Sequence, residues 1–233
     1  MSVWRAFIDR NLFRLVHLKG LLTNSWRRSH YGQWGEDALI AGLFPKKNDG
    51  FYVDVGAYHP FHYSNTFLLH KRGWRGVNID PNPDSIALFR FHRPSDANLN
   101  YGIAEEGGER DYYVFNHQSC NTFSKEQRDK MLSRPFMRLV KETRVPCAPL
   151  SSLLTKHANG KTIDLLNVDV EGMGLAVLRS LDWKTQAPKV ICVEDDDLQL
   201  QDKGFGSPIH SFLIERGYAL RHRAGASSLY VHP

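Results

Sequence analysis

Phe51-Tyr52-Val53-Asp54-Val55-Gly56-Ala57 is an apolar run broken by one acid and ended by a glycine. That composition reads as a short buried strand, and Gly56 lets the backbone turn tightly at its carboxyl end. One strand–helix–strand unit further on, Gly76-Val77-Asn78-Ile79-Asp80 is a second strand, and Pro81-Asn82-Pro83 forbids its continuation. The same alternation returns in the second half: strand 163–169, helix 175–181, strand Val190–Glu194, helix 209–216, and two closing strands, 218–223 and 227–232, on either side of Ala224-Gly225-Ala226. Strands alternating with helices predict an α/β fold, a mostly parallel seven-stranded sheet of Rossmann-like type with helices on both faces and an antiparallel edge hairpin.

The remaining elements fit around this frame. A short helix over 35–44 is stopped by Pro45, and a second is capped by Ser64 and ended by Gly73. Residues 83–91 read as helix, 98–104 as the third strand and 110–115 as an added strand. Residues 119–145 form a polar, basic stretch with a helix starting at Lys125. Long excursions in compact domains usually carry function, so 105–150 reads as a substrate-facing insertion, with a structural flap as the alternative.

At 233 residues and 42% hydrophobic content, the chain has enough material for one domain with a full core. Cys120, Cys147 and Cys192 are odd in number and widely spaced, which suits neither a disulfide framework nor a Cys-x-x-Cys site and points to a reducing, cytoplasmic setting. The net charge of +5 resides in residues 1–30, where Arg5, Arg10, Arg14, Lys19, Arg27 and Arg28 face Asp9 alone. Trp4, Phe7, Ile8, Leu12, Leu15, Leu18 and Leu22 give this segment an amphipathic helical pattern. It is too polar to span a bilayer and lacks the apolar core of a signal peptide. Packing on the domain or on a second subunit is the preferred reading, and peripheral membrane contact is the alternative. Residues 31–233 form the domain proper, neutral on balance, without the basic cleft expected of a nucleic-acid enzyme.

In a doubly wound sheet, ligands sit at the carboxyl ends of the strands. Gly56 after the first strand and Asp80 at the end of the second, where a carboxylate can accept both ribose hydroxyls, indicate an adenosine-containing cofactor. A dinucleotide needs further glycines, but Tyr58, His59 and Pro60 stand where the backbone should be bare, and no Gly-Lys-Ser/Thr of a P-loop is present. S-adenosylmethionine (SAM) carries a sulfonium and an amino group and no phosphate, so an acid in the loop is expected, and Asp54 supplies it.

Several stretches together resemble the FkbM family of methyltransferases: Gln33-Trp34-Gly35-Glu36-Asp37, the run from Phe51 to Ala57, Ser64-Asn65-Thr66, Gly73-Trp74-Arg75-Gly76-Val77-Asn78-Ile79-Asp80-Pro81, and Asp164-Leu165-Leu166-Asn167-Val168-Asp169-Val170-Glu171-Gly172. The resemblance covers roughly residues 30–195 and implies a class I methyltransferase fold. It also implies Asp54, Gly56 and Ala57 around the methionine half of SAM, Asp80 on the ribose, Ala104 near the adenine and Gln33 folded over the cofactor. Asn65 would touch the cofactor or simply start the helix after Ser64. FkbM-like enzymes commonly methylate hydroxyl groups, often on sugars of cell-surface glycans or natural products.

Methyl transfer to a hydroxyl is an in-line displacement that needs an aligned acceptor and a proton acceptor. Asp169 and Glu171 flank the fourth strand end, and Glu194, Asp195, Asp196 and Asp197 follow the fifth. Asp169 with Glu194 and Asp195 resembles the Mg²⁺ site of metal-dependent O-methyltransferases; an acidic turn favouring the next helix dipole is the alternative. His59 and His62 are loop residues within reach of an acceptor, and Ser119-Cys120-Asn121-Thr122 is a candidate acceptor loop in which Cys120 has no assignable base. The Asn/Asp-Pro-Pro-aromatic motif of adenine methylases is replaced by Asp169-Val170-Glu171-Gly172, which ranks a nucleic-acid substrate low. The remaining alternative is a non-catalytic SAM-binding or scaffold subunit that recruits a glycan-assembly partner.

Overall fold

The computed structural model describes residues 30–195 and 207–233. The amphipathic pattern of residues 1–29 and the acids Asp196 and Asp197 lie outside the described residues.

The chain runs α1 (Glu36–Leu43), β1 (Phe51–Val55), α2 (Phe67–Lys71), β2 (Arg75–Ile79), α3 (Pro83–His92), β3 (Ala97–Leu99) and β4 (Gly102–Ile103). It continues with β5 (Gly108–Phe115), a 3₁₀ turn at Gln118–Cys120, α4 (Lys125–Leu132), β6 (Leu139–Ala148), α5 (Leu150–His157), β7 (Leu165–Val168) and α6 (Gly174–Arg179), and closes with β8 (Val190–Glu194), α7 (Pro208–Ile214), β9 (Ala219–Ala224) and β10 (Ser227–Val231). Seven strands form the main sheet in the order β3-β2-β1-β7-β8-β10-β9. β3, β2, β1, β7 and β8 pair in parallel, whereas β10 is antiparallel to both β8 and β9. The order reverses between β1 and β7, which makes their carboxyl ends the switch point.

Period-2 alternation divides the strand residues between two cores. Val53, Val55, Val77, Ile79, Leu166, Val168, Ile191 and Val193 pack with Leu150, Leu153 and Leu154 of α5, Val177 and Leu178 of α6 and Leu213 of α7. On the opposite face Tyr52, Leu165, Val190, Cys192 and Leu229 meet Ile40 and Ala41 of α1, Leu69 of α2 and Trp74. The helix starts follow local chemistry. The Asn82, Ser124 and Ser207 side chains accept the backbone N–H of Asp84, Gln127 and His210 at 3.0, 3.1 and 3.1 Å, and Pro83 and Pro208 occupy first-turn positions that lack a partner for an N–H.

Two expectations are corrected here. The third strand does not run unbroken over 98–104. It leaves the main sheet after Leu99 and resumes as β4 in a separate three-stranded sheet, β4-β6-β5, built by the insertion. Asn100 marks the break, its Nδ2 donating to the Asp80 carbonyl at 2.9 Å. Ser64 is not the cap of α2; Thr66 holds that position without a side-chain cap bond, and Ser64 Oγ receives a hydrogen bond from Arg93 at 3.0 Å. The three cysteines are free, and among the described residues no helix is long and apolar enough to cross a membrane.

Candidate active site

The ends of β1, β2 and β7 are stitched together by the turn that begins at Gly56. Gly56 and Ala57 donate their N–H groups to the Ile79 carbonyl at 3.0 and 3.2 Å, and Asp169 donates to the Val55 carbonyl at 2.9 Å. Gly56 adopts φ +78°, and a Cβ there would lie 1.7 Å from the Asp169 carbonyl oxygen. Glycine is therefore required by the neighbouring strand, in addition to any ligand. Tyr58 follows with φ 52° and donates its N–H to Asp80 Oδ2 at 2.8 Å, while the Asn82 N–H reaches Asp80 Oδ1 at 2.7 Å. Each carboxylate oxygen keeps a second lone pair for a ligand hydroxyl. Burial, helped by the Asp54 charge, pushes Asp80 up to about 6.

The strand registers place Asn98, Asn78, Asp54, Asn167 and Cys192 in one transverse row. This row is polar where the rest of the sheet is apolar, and its members satisfy one another. Asn78 Nδ2 donates to Asn98 Oδ1 at 2.8 Å, Asn167 Nδ2 to Asp54 Oδ1 at 2.9 Å, and Asn65 Nδ2 to Asn167 Oδ1 at 3.1 Å. Thr66 Oγ1 donates to Asp54 Oδ2 at 2.6 Å and itself accepts from the wholly buried Arg93 at 2.9 Å. Asp54 nonetheless sits above the ordinary carboxylate range, because desolvation outweighs these bonds.

Asp169 completes the cluster. Its carboxyl lies beside that of Glu194 in the larger cavity, and a hydrogen bond between two carboxyls needs one of them protonated. Burial first, and the Glu171 charge second, push Asp169 up to about 7. Glu171 adopts φ 44°, and the insertion holds it from two sides: Gln127 Nε2 donates to its Oε2 at 2.9 Å and Thr122 Oγ1 to its carbonyl at 2.9 Å.

These groups wall two adjoining cavities that share Gly56, Tyr58, Ser119, Asp169 and Glu171. The larger, of about 360 Å³, also carries Gln33, Asp54, Ala57, Asn65 and Glu194. The smaller, of about 60 Å³, is bordered by Asp80, Ile79, Ile103 and Tyr112. The expected residues Gln33, Asp54, Gly56, Ala57, Asn65, Asp80, Asp169, Glu171 and Glu194 thus converge on one continuous surface. Gln33 is presented at the rim by a turn in which Glu36 Oε2 accepts the Trp34 N–H at 2.8 Å and Asp37 Oδ2 the Tyr31 N–H at 2.6 Å.

Four expected residues lie elsewhere. Ala104 follows β4 in the second sheet and borders a different cavity, so Ile103 and Gly102 take the place expected of it. Asp195 accepts a short hydrogen bond from Ser207 at the start of α7 and does not join Asp169 and Glu194. Among the described residues no group of three His, Cys, Asp or Glu side chains is placed to hold a metal ion, so the proposed Asp169–Glu194–Asp195 set does not fit Mg²⁺. His59 Nδ1 accepts loop N–H groups from Phe61 and His62 at 3.3 and 3.1 Å, and neither histidine borders the two cavities.

The sequence reading missed Tyr58, Tyr63, Asn167, Gln127, Met131 and Arg134, all of which border the larger cavity. A signal for Asn167 was present: Asn78, Asn167 and Asp54 each precede a strand-terminal Asp or Gly by two residues and so share its face. For Arg134 the signal was its spacing from Gln127 and Met131 along a helix.

No curated protein and no solved structure gives a significant match to this chain. A family model does: the methyltransferase FkbM domain matches residues 54–220, from the first acid of the nucleotide turn to the penultimate strand of the sheet. With that match spanning most of the described domain and the acids of the switch point, the chain belongs to the FkbM methyltransferase family.

Proposed function

We propose that this protein is a SAM-dependent O-methyltransferase that acts on a hydroxyl of a sugar, in a glycan or a natural product. The observation that carries the reading is the run of acids along the two adjoining cavities at the switch point, buried Asp54 and Asp80 with Asp169 open to both cavities between them, all held above the ordinary carboxylate range. Such a wall suits a ligand with a ribose and positive charge. Asn65 Oδ1, buried in the same wall, has no hydrogen-bond partner and is available to an ammonium donor. The residues present therefore fit SAM: Asp80 on the ribose, Asp54, Asn65 and Ala57 on the amino-acid half, and Gln33 across the opening. When bound, SAM supplies an electrophilic methyl group on a sulfonium.

The chain's own part is orientation and proton removal. Asp169, its pKa raised toward neutrality, accepts the hydroxyl proton. Glu194 shares its proton, and Glu171 adds negative charge that raises its basicity. Asp54 and Asn167 hold the strand ends rigid beneath the transfer. At the nucleoside end the cavity widens on binding, since about 60 Å³ holds only a water or two.

Calorimetric titration with SAM tests the reading. Binding at micromolar level that is lost in Asp80→Ala, followed by label transfer from SAM to sugar acceptors, supports it. Binding without turnover across the acceptors favours a non-catalytic SAM-binding subunit, and absence of binding overturns both.

A further inference from the structure

Among the described residues that line the two cavities, Arg134 is the sole base. Asp54, Asp169, Glu171 and Glu194 line the same larger cavity. Gln127, Met131 and Arg134 follow i, i+4, i+7 spacing, so the insertion turns one helical face into the cavity and carries that face two residues past the end of α4. The face has a fixed end and an open end. Gln127 is buried and bound to Glu171, and Met131 is buried, whereas Arg134 is exposed at the rim and forms no ion pair with a described residue. Arg134 and the carboxylates line the same cavity, so one bound ligand can meet both. The Arg134 charge is felt inside the cavity, where it partly offsets the burial and the Glu171 charge that raise the Cys120 thiol.

Taken with the O-methyltransferase reading, on which this inference rests, the geometry points to an acceptor that carries an anionic oxyacid group, a carboxylate or a phosphate, bound by Arg134 at the end of the cavity away from the hydroxyl that is methylated. Charge sets the orientation. The acids at the strand ends repel the anionic end of the acceptor, and among the described side chains of the two cavities Arg134 alone attracts it, so the neutral hydroxyl edge is the part that faces Asp169. A planar guanidinium suits either oxyacid through two parallel hydrogen bonds.

Glucose, glucuronate and glucose 6-phosphate are the probes, titrated calorimetrically into the full chain with and without saturating S-adenosylhomocysteine. At least one of the two anions should bind about 10-fold or more tightly than glucose, and the stronger of the two identifies carboxylate or phosphate as the group recognised. Arg134→Gln should bring the anions to the level of glucose, and Arg134→Lys should recover part of the preference. A separate titration of the variants with SAM checks their fold. Equal affinity for all three sugars, binding of none, or an anion preference that survives Arg134→Gln overturns the inference. Failure of the wild type to bind SAM instead sinks the methyltransferase reading, and the anion preference is still read from the titrations without S-adenosylhomocysteine.

Discussion

Replacing Asp169 by asparagine should cost activity and add stability, and the gain should depend on pH. The side chain opens onto the cavity, where desolvation by the surrounding wall and the Glu171 charge raise its pKa from the ordinary 3.8 to about 7. Between those values the folded state holds a proton that the unfolded chain has released. Stability attributable to this group is therefore full below about pH 4 and falls as pH rises toward 7, after which it is flat. Because the side chain is exposed to solvent in the cavity, screening reduces this contribution to about 1 kcal/mol or less. Asparagine has nearly the same shape and donates to Glu194 without ionising. Urea unfolding of the two proteins should accordingly give similar free energies near about pH 4.5 and an advantage of up to ~1 kcal/mol for Asp169→Asn near about pH 8, with methyl transfer lost at both. A difference between the two proteins that stays constant across this range would refute the raised pKa of Asp169. A variant with full turnover would remove Asp169 from the chemistry.

Two further substitutions probe the frame under the site. Gly56→Ala places a Cβ 1.7 Å from the Asp169 carbonyl at φ +78°, so β1 and β7 must part at their ends; loss of ~3 kcal/mol or more in urea unfolding is expected, and a loss below about 1 kcal/mol would show that the turn relaxes freely. Arg93→Met removes the donor to Thr66, Ser64, Tyr52 and the Pro60 carbonyl and leaves Asp54 and Asp96 without their nearest buried cation, so ~3–5 kcal/mol should be lost, with a fully stable variant as the refuting result.

The central strands were legible because each is a short apolar run ended by an acid or glycine, a local pattern that burial on both faces enforces in a parallel sheet. β1 and β8 have the bounds read from sequence, and β2 and β7 differ by one or two residues at their ends. The insertion was less legible. β6 runs through Lys141, Glu142, Thr143 and Arg144 and contains Pro146, so neither apolar alternation nor the usual exclusion of proline marks it as a strand; its ten residues are held by β5 across a largely exposed surface. α5, also unassigned, is only eight residues long and buries Leu150, Leu153 and Leu154 behind two serines. Within the site, strand-terminal acids could be read locally. The contacts of Asn65, Asn167 and Asp54 span up to 113 residues and depend on register, which only the assembled sheet defines.

Tyr58 and Glu171 share a further property that helps explain the site's composition. Both are non-glycine residues with positive φ, and each stands directly after a strand that ends at the switch point. Such backbones cost of order 1 kcal/mol or more apiece and persist only where surrounding bonds hold them. Asp80 supplies that hold for Tyr58, and Thr122 supplies it for Glu171. The two restraints differ in origin: Asp80 belongs to the main sheet, Thr122 to the insertion. The backbone at Tyr58 is thus held from the main sheet, whereas the position of Glu171 depends on the insertion being docked. A ligand that contacts the insertion through Arg134 would bear on Glu171 through the same segment, because Gln127 lies on the same helical face and is bonded to it. On the proposed function, the acid that raises the basicity of Asp169 is therefore tied to the insertion that carries Arg134, an arrangement that would couple acceptor docking to the proton acceptor without requiring movement of the sheet.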